Sequence, residues 1–468
     1  MITSIKINGF KSFHNFEMAF TPLTVVAVAN ASGKSNLFDA LKLLSRLAET
    51  DLKTAFNEQR GNPGELFTQY GENSYASEME FELEMLVNRQ VKDNWGSEYE
   101  LNNTRLRYKL IIAKKPNHYG IDDLTVKYEH LEKIKYEDDR WVRMLPKEAK
   151  PFWQTKKAGG SKVPFIQTVE QSGITTIKIR QDGKQGGKAT PANAVAQTVL
   201  GGINSVDFPH VFAAKEEMKS WKFLQLNPED LREPSRQDVG LRDTITSGGK
   251  NVAAALFRIK QSDEYHLKEI SRKLNSFLPN LTEVNVYDDQ VNHQFIIKVK
   301  GEDNKEFSSR VLSEGTLRLL VLCILEFDAK HTGLLCFEEP ENGIHPFRMK
   351  AMAHLLQDLS VDFMDSDLPL RQVIVNTHSP VLLKELIQWQ DDRNISIWFS
   401  SLNSFITDTG GERIKIKITK MSRVFKKDKE NGQLSLIPVS EPERRLTVAE
   451  VIKYLETADT ETAIRAIQ

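Results

Sequence analysis

The feature that most constrains this chain is a change of period near residue 30. The apolar run Leu23 to Val28 reads as a buried strand, Asn30-Ala31-Ser32-Gly33-Lys34-Ser35 interrupts it, and Leu37, Leu41, Leu44 and Leu47 then recur at helical spacing. A strand, a tight loop and a helix in that order aim backbone N–H groups of the loop and first helical turn at one point, which attracts phosphate oxygens. Lys34 adds a charge suited to β- and γ-phosphates, and the Ser35 hydroxyl suits Mg²⁺. The segment therefore predicts an ATP site in which Asn30, Ser32, Gly33, Lys34, Ser35 and Asn36 contact the nucleotide. One residue departs from the usual loop. Val28 stands five residues ahead of the Gly-Lys pair, where Gly is common, and a β-branched residue resists positive φ. An extended backbone there would make Val28 harmless; the alternative is a decayed loop that binds nucleotide weakly.

Two later patches complete the pattern: Leu312-Ser313-Glu314-Gly315-Thr316-Leu317-Arg318, and the apolar run Leu334 to Phe337 ending in Glu338-Glu339-Pro340. With the opening Ile5-Lys6-Ile7-Asn8-Gly9-Phe10-Lys11-Ser12-Phe13, these segments resemble the ABC-type ATPases of the overcoming-lysogenisation-defect (OLD), RecF and SMC-like branch. Residues 312–318 look like its signature, Glu338 to Pro346 like its Walker B and D-loop, and Asn376-Thr377-His378-Ser379-Pro380 like its switch histidine. Trp221 to Arg232 is similar to a stretch of stand-alone members. The resemblance covers both ends of the chain well and the middle thinly.

The resemblance implies roles. Glu338 stands where the branch usually has a Mg²⁺-holding Asp, and Glu339 is implied as the general base that orients the attacking water. His378 is implied to contact the γ-phosphate. Ser313 and Gly315 are implied to face the nucleotide of a second subunit, so that heads pair head to tail around two ATP molecules. Gln69, in a Gly-flanked loop, is the candidate metal-sensing glutamine, although such a residue needs no special role. The fold expected is α/β, an ABC-type head with a central α+β insert and a short C-terminal extension. Its parts are residues 1–85 and 251–400 for the head, 86–250 for the insert and 401–468 for the extension.

Composition limits the function without naming it. The chain has 468 residues, enough for two or three cores, and 63 Lys and Arg against 64 Asp and Glu leave a formal charge of -1. Nucleic acid is thus possible through local patches but not argued by global basicity. Cys323 and Cys336 lie in apolar runs and read as core residues of a reducing cytoplasm, and no signal peptide or membrane helix is expected. No apolar heptad spans the middle, so a compact insert is expected, with mobile loops in the Lys-, Gly-, Gln- and Thr-rich stretch Gln154 to Gly187. Gly159-Gly160-Ser161-Lys162 and Gly183 to Lys188 read as solvated loops or phosphate contacts. After His378 the nuclease members of the branch continue into a metal-dependent TOPRIM domain; here Asp391, Asp392 and Asp408 read as solvated acids, and no nuclease site is expected. The tail carries a basic run, Lys420 to Lys429, and a capping box at Thr447-Val448-Ala449-Glu450 with a Leu446/Val451 staple. Three classes stay open: the ATPase of an anti-phage or toxin-type system with a separately encoded effector, a RecF- or SMC-like DNA-maintenance ATPase, and a non-hydrolysing scaffold.

Overall fold

The computed structural model describes residues 1–28, 35–71, 74–116, 122–154, 163–171, 174–181, 187–192, 196–237, 243–365, 369–389, 394–409, 412–425, 446–447 and 451–452. Its centre is a seven-stranded sheet in the order Lys222–Leu224, Gly333–Glu338, Arg371–Thr377, Leu23–Val28, Ile395–Thr409, Glu412–Phe425, Leu446–Thr447. The first five run parallel. That explains the runs Leu334–Phe337 and Val373–Val375: a parallel strand covered on both faces is apolar along its middle rather than alternating, and both runs are buried.

A second sheet has eight antiparallel strands, in the order Gly187–Pro191, Ile174–Arg180, Ile166–Gln171, Asp122–Lys133, Arg105–Pro116, Glu78–Leu86, Ile2–Asn8, Phe16–Ala19. Here the pattern alternates. Glu78, Glu80, Glu82 and Glu84 face outward and Met79, Phe81, Leu83 and Met85 inward, as a sheet with one solvated face requires. Cross-strand charges lace the outer face, including Lys109 to Glu80 at 2.5 Å and Arg107 to Glu84 at 2.8 Å. Between the two sheets lies the helix Ser35–Leu47, whose Leu37, Leu41, Leu44 and Leu47 are buried with Ile5, Phe81, Leu83 and Ile374. The opposite face of the parallel sheet packs on helices Val252–Ser262, Glu264–Phe277, Glu314–Phe327, Met349–Asp358 and Pro380–Ile387. The expected α/β class is therefore the one the chain adopts.

The middle of the chain is more integrated than a separate insert. Its strands between residues 105 and 191 extend the sheet begun by Ile2–Asn8, and Lys222–Leu224 joins the parallel core. In the stretch read as mobile loops, Ile166–Gln171 and Ile174–Arg180 are paired strands, because Ile177 and Ile179 supply a short inward alternation amid polar neighbours. Residues 155–162 and 182–186 lie outside the described residues, as do Asp391, Asp392, 426–429 and Val448 to Glu450. In the tail, Leu446 and Thr447 pair with Val424 and Phe425, and Val451 is buried in the second core. Cys323 and Cys336 are buried free thiols. Among the described residues no helix is long and apolar enough to cross a membrane.

One buried carboxylate anchors the far end of the helix Ser35–Leu47. Glu129 accepts the N–H groups of Val199 (2.7 Å) and Leu200 (2.8 Å) and the Tyr108 hydroxyl (3.0 Å), and the adjoining Thr198 hydroxyl donates to the Leu47 carbonyl at 3.0 Å. Burial pushes the Glu129 carboxyl up to about 7, against the opposing pull of its three donors. A folded value above the unfolded one means that this group's contribution to stability is complete below about 4.5 and is lost as pH rises through about 7, a change on the order of 3 kcal/mol. Denaturant unfolding of wild type and Glu129→Gln at pH 4.5, 6 and 8 should show this decline in wild type and a flatter profile in the variant; parallel profiles would rule it out.

Candidate functional site

Parallel strands deliver their carboxyl ends to one edge, and a ligand crevice forms where those ends and the following loops meet. Three neighbouring strands do so here. Leu23–Val28 leads into residues 29–34, Arg371–Thr377 leads to His378, and Gly333–Glu338 ends on Glu338 and is followed by Glu339. Arg371–Thr377 lies between the other two, and Glu338 is in register with Asn376. Asn30, Ser32, Gly33 and Lys34 lie outside the described residues. Val28 is the last residue of its strand and pairs with Ser400, so its backbone is extended there.

Ser35 opens the helix with its hydroxyl 3.5 Å from Glu338 Oε1. A hydroxyl and a carboxylate converging in this way form a hard oxygen set, of the kind that holds Mg²⁺ through few protein ligands and substrate phosphates. Among the described residues no group of three or more His, Cys, Asp or Glu is placed to hold a metal by itself. Glu338 also lies 3.9 Å from the Arg60 guanidinium. Asn36 donates to Ser12 Oγ at 2.6 Å, and Ser12 in turn meets the Thr419 hydroxyl, so the Asn36 amide ties the helix start to the first strand's turn. Gln69 is exposed and donates to the Gly71 carbonyl at 2.9 Å.

Glu339 and His378 meet, Oε1 to Nε2, at 3.3 Å. Glu339 has φ 47°, a left-handed backbone that a side-chain-bearing residue adopts only at a cost of about 1–3 kcal/mol. It is held by its N–H on the Asn376 carbonyl (2.8 Å) and by the Asn342 amide donating to Oε2 (2.8 Å). Leaving the strand in this conformation turns Glu339 away from the direction of Glu338 and toward the histidine. The turn that carries His378 is fixed by Glu341, whose Oε1 accepts the Thr377 hydroxyl (2.6 Å) and the N–H groups of His378 (3.0 Å) and Ser379 (3.2 Å). Asn376 is buried, and among the described residues neither of its side-chain amide atoms has a partner, a deficit worth about 1–3 kcal/mol.

Ser313 is the N-cap of the helix Glu314–Phe327, accepting the Thr316 N–H at 3.3 Å, and remains exposed. Gly315 is buried: a Cβ there would lie 2.8 Å from the Gly343 carbonyl, and one on Gly343, at φ 72°, would strike the Glu314 side chain. The glycine at 315 is thus demanded by packing inside the chain, a reason the sequence did not display. Sequence reasoning also passed over Arg60, Glu341 and the Ser12 link. Glu341 lies within the Walker B-like segment, but only the folded turn shows that it organises His378.

Two family models match the chain: residues 1–158 match "AAA ATPase domain" and residues 169–384 match "AAA domain, putative AbiEii toxin, Type IV TA system". Both support an ATPase. No curated protein matches. Among solved structures, the SMC head domain from Thermotoga maritima aligns at 12% identity and TM-score 0.36, covering 89% of this chain and 98% of that one. The Smc head domain with an extended coiled coil bound to the C-terminal domain of ScpA, from Pyrococcus furiosus, aligns at 12% identity and TM-score 0.45, covering 90% and 96%. Both likenesses are too distant to carry function.

Two outcomes follow from the backbone. Because Val28 is extended, Val28→Gly should change ATP affinity by less than about threefold in a binding titration, under about 0.7 kcal/mol; a tenfold gain would mean that valine strains the loop. Because Glu339 is left-handed, Glu339→Gly should offset the usual glycine penalty of about 1 kcal/mol and melt no lower than wild type, whereas a clear fall in Tm would show that the position is unstrained.

Proposed function

We propose that the chain binds and hydrolyses ATP at the ends of these three strands and acts as a switch. The observation that carries this reading is the convergence of Ser35 on Glu338 and of Glu339 on His378 at one sheet edge. In this reading Asn30, Ser32, Gly33, Lys34 and Asn36 contact the nucleotide, and Ser35 and Glu338 hold Mg²⁺, with Gln69 sensing it. Mg²⁺ supplies charge neutralisation on the β- and γ-phosphates. Glu339 would accept a proton from the attacking water, and His378, on a turn set by Glu341, would contact the γ-phosphate.

Pairing with a second copy completes the site in this proposal, Ser313 and the helix start at Gly315 capping the other subunit's nucleotide. Ser313 is exposed, and two apolar side chains close to it in sequence or across the Gly315–Gly343 contact, Val311 and Phe347, are 70% and 91% exposed, as suits a face that a partner covers. The match of residues 169–384 to a model named for a toxin–antitoxin system supports a place in a bacterial anti-phage or toxin-type system, with a separately encoded effector.

The test separates binding, chemistry and assembly. Lys34→Ala should lose ATP affinity, whereas Glu339→Gln should retain affinity and lose turnover by at least about a hundredfold. Ser313→Arg should lose turnover alone, and mixing it with Lys34→Ala should restore part, since a mixed dimer keeps one composite site with an intact loop and signature. Wild type that neither binds nor hydrolyses ATP would turn the reading into the scaffold one. Mixed dimers that form without recovering activity would remove the shared site.

A further inference from the structure

Beyond Lys133 the chain leaves the eight-stranded sheet for two short helices, Arg140–Met144 and Lys150–Trp153, and returns to it at Ile166. Their Trp141, Val142 and Phe152 are buried with Phe363 and Leu370 in a third core, separate from the two larger ones. The end of this layer is pinned to the sheet. Arg89 donates to the carbonyls of Pro151 (2.6 Å) and Gln154, and the Thr104 hydroxyl donates to the Trp153 carbonyl at 3.2 Å. Between the helices and the strand ends lies a cavity of about 250 Å³.

The chemistry of the lining is narrow. Among the described residues its charged side chains are Arg105 and Asp139, and they neutralise each other. Arg105 Nε and Nη2 donate to the two Asp139 oxygens at 2.7 and 3.1 Å, Asp139 also accepts the Val142 N–H at 3.1 Å, and Arg105 Nη1 donates to the Thr3 hydroxyl at 3.0 Å. The lining thus holds neither a cation left over for a phosphate nor a free carboxylate to act as a base. What it offers instead is flat groups and amides. The Tyr136 and Trp153 rings stack with centroids 5.6 Å apart and 18° between their planes, Tyr136 being 59% exposed, and Asn102, Asn103 and Gln154 add side-chain carboxamides. Two donors of this lining, Asn103 Nδ2 and the Trp153 indole N–H, are buried without an acceptor among the described residues. A donor buried in that way is unfavourable until a ligand supplies the acceptor.

We propose that this cavity binds a free, uncharged nucleoside. A nucleobase is flat enough to extend the Tyr136–Trp153 stack, its ring nitrogens and carbonyls are acceptors for the two unpartnered donors, and carboxamides match the paired donor and acceptor of a base edge. Size agrees. The cavity is smaller than the roughly 300–1,000 Å³ that drug-sized ligands occupy, and it suits one base with its sugar. The site is also remote from the nucleotide edge. Leu370, in the third core, precedes the amino end of the seven-residue strand Arg371–Thr377, whose other end leads to His378 roughly 20 Å away. The cavity does not depend on the ATPase reading.

Isothermal titration of the full chain without ATP, using adenosine, guanosine, cytidine and uridine in turn, tests the site. At least one should bind with Kd below about 1 mM. Tyr136→Ala should weaken that binding about fivefold or more, while Tyr136→Phe stays within about twofold of wild type. Trp153→Phe keeps a stacking ring but removes the indole N–H, and should weaken binding about threefold. The 5′-monophosphate of the same nucleoside should bind no tighter than the nucleoside, and Lys34→Ala should leave nucleoside affinity unchanged. No binding by any of these nucleosides, or equal affinity in wild type and Tyr136→Ala, overturns the proposal. A monophosphate that binds about tenfold tighter overturns the uncharged ligand. Nucleoside binding abolished by Lys34→Ala assigns the ligand to the loop 29–34 and removes the cavity, as does a single-stranded oligonucleotide that binds where no nucleoside does. A chain that binds a nucleoside through Tyr136 without turning over ATP loses the ATPase reading alone, and turnover without nucleoside binding loses the cavity alone.

Discussion

Two consecutive side chains hold the molecule together. Arg371 begins the central strand Arg371–Thr377 and gives its guanidinium to three carbonyls, those of Glu326 (2.5 Å), Asp328 (2.9 Å) and His331 (2.7 Å), at the end of the helix that Ser313 caps. A cation among terminal carbonyls satisfies groups that the helix cannot satisfy itself and complements its dipole. Gln372 points to the other face. It is fully buried, and its amide accepts the Ile2 N–H (2.9 Å) and donates to the carbonyls of Ile2 (2.8 Å) and Thr21 (3.1 Å), standing in for a strand neighbour. Because successive residues of a strand face opposite sides, one strand clamps the helical layer with Arg371 and the antiparallel sheet with Gln372. Asn376 and His378 lie on the same strand and just beyond it, so the site inherits this frame.

The frame explains why strain collects at one edge. Glu339 in a left-handed backbone and Asn376, whose buried side-chain amide has no partner among the described residues, are each unfavourable, and both sit where the parallel strands end. Neighbouring contacts hold them in place: the Glu341 carboxylate under the His378 turn, the Asn342 amide on Glu339, and the glycine-to-glycine approach of Gly315 and Gly343. That approach also ties the Ser313 cap to the acidic segment, so movement of either is felt by the other. Rigid coupling of this kind is what a nucleotide-dependent switch requires.

Composition was a poor guide to the middle of the chain. A stretch rich in Lys, Gly, Gln and Thr contributes two strands to the large sheet, since two inward isoleucines and a paired neighbour outweigh weak local preference.

What the sequence determined by itself was what depends on local period and turn chemistry: the strand Leu23–Val28, the amphipathic helix Ser35–Leu47, the capped helix after Ser313, and the apolar strands that end on Glu338 and before His378. These survive because each buried face repeats at the spacing of its own element. Tertiary structure alone decided that Glu339 meets His378, that Glu341 sets the histidine turn, that Arg60 lies by Glu338, that Gly315 is required by Gly343, and that the middle strands join the first strand's sheet. Each joins residues distant in the chain or depends on a backbone conformation off the regular path. Such contacts are fixed by which layers pack together, a property that no single window of sequence carries.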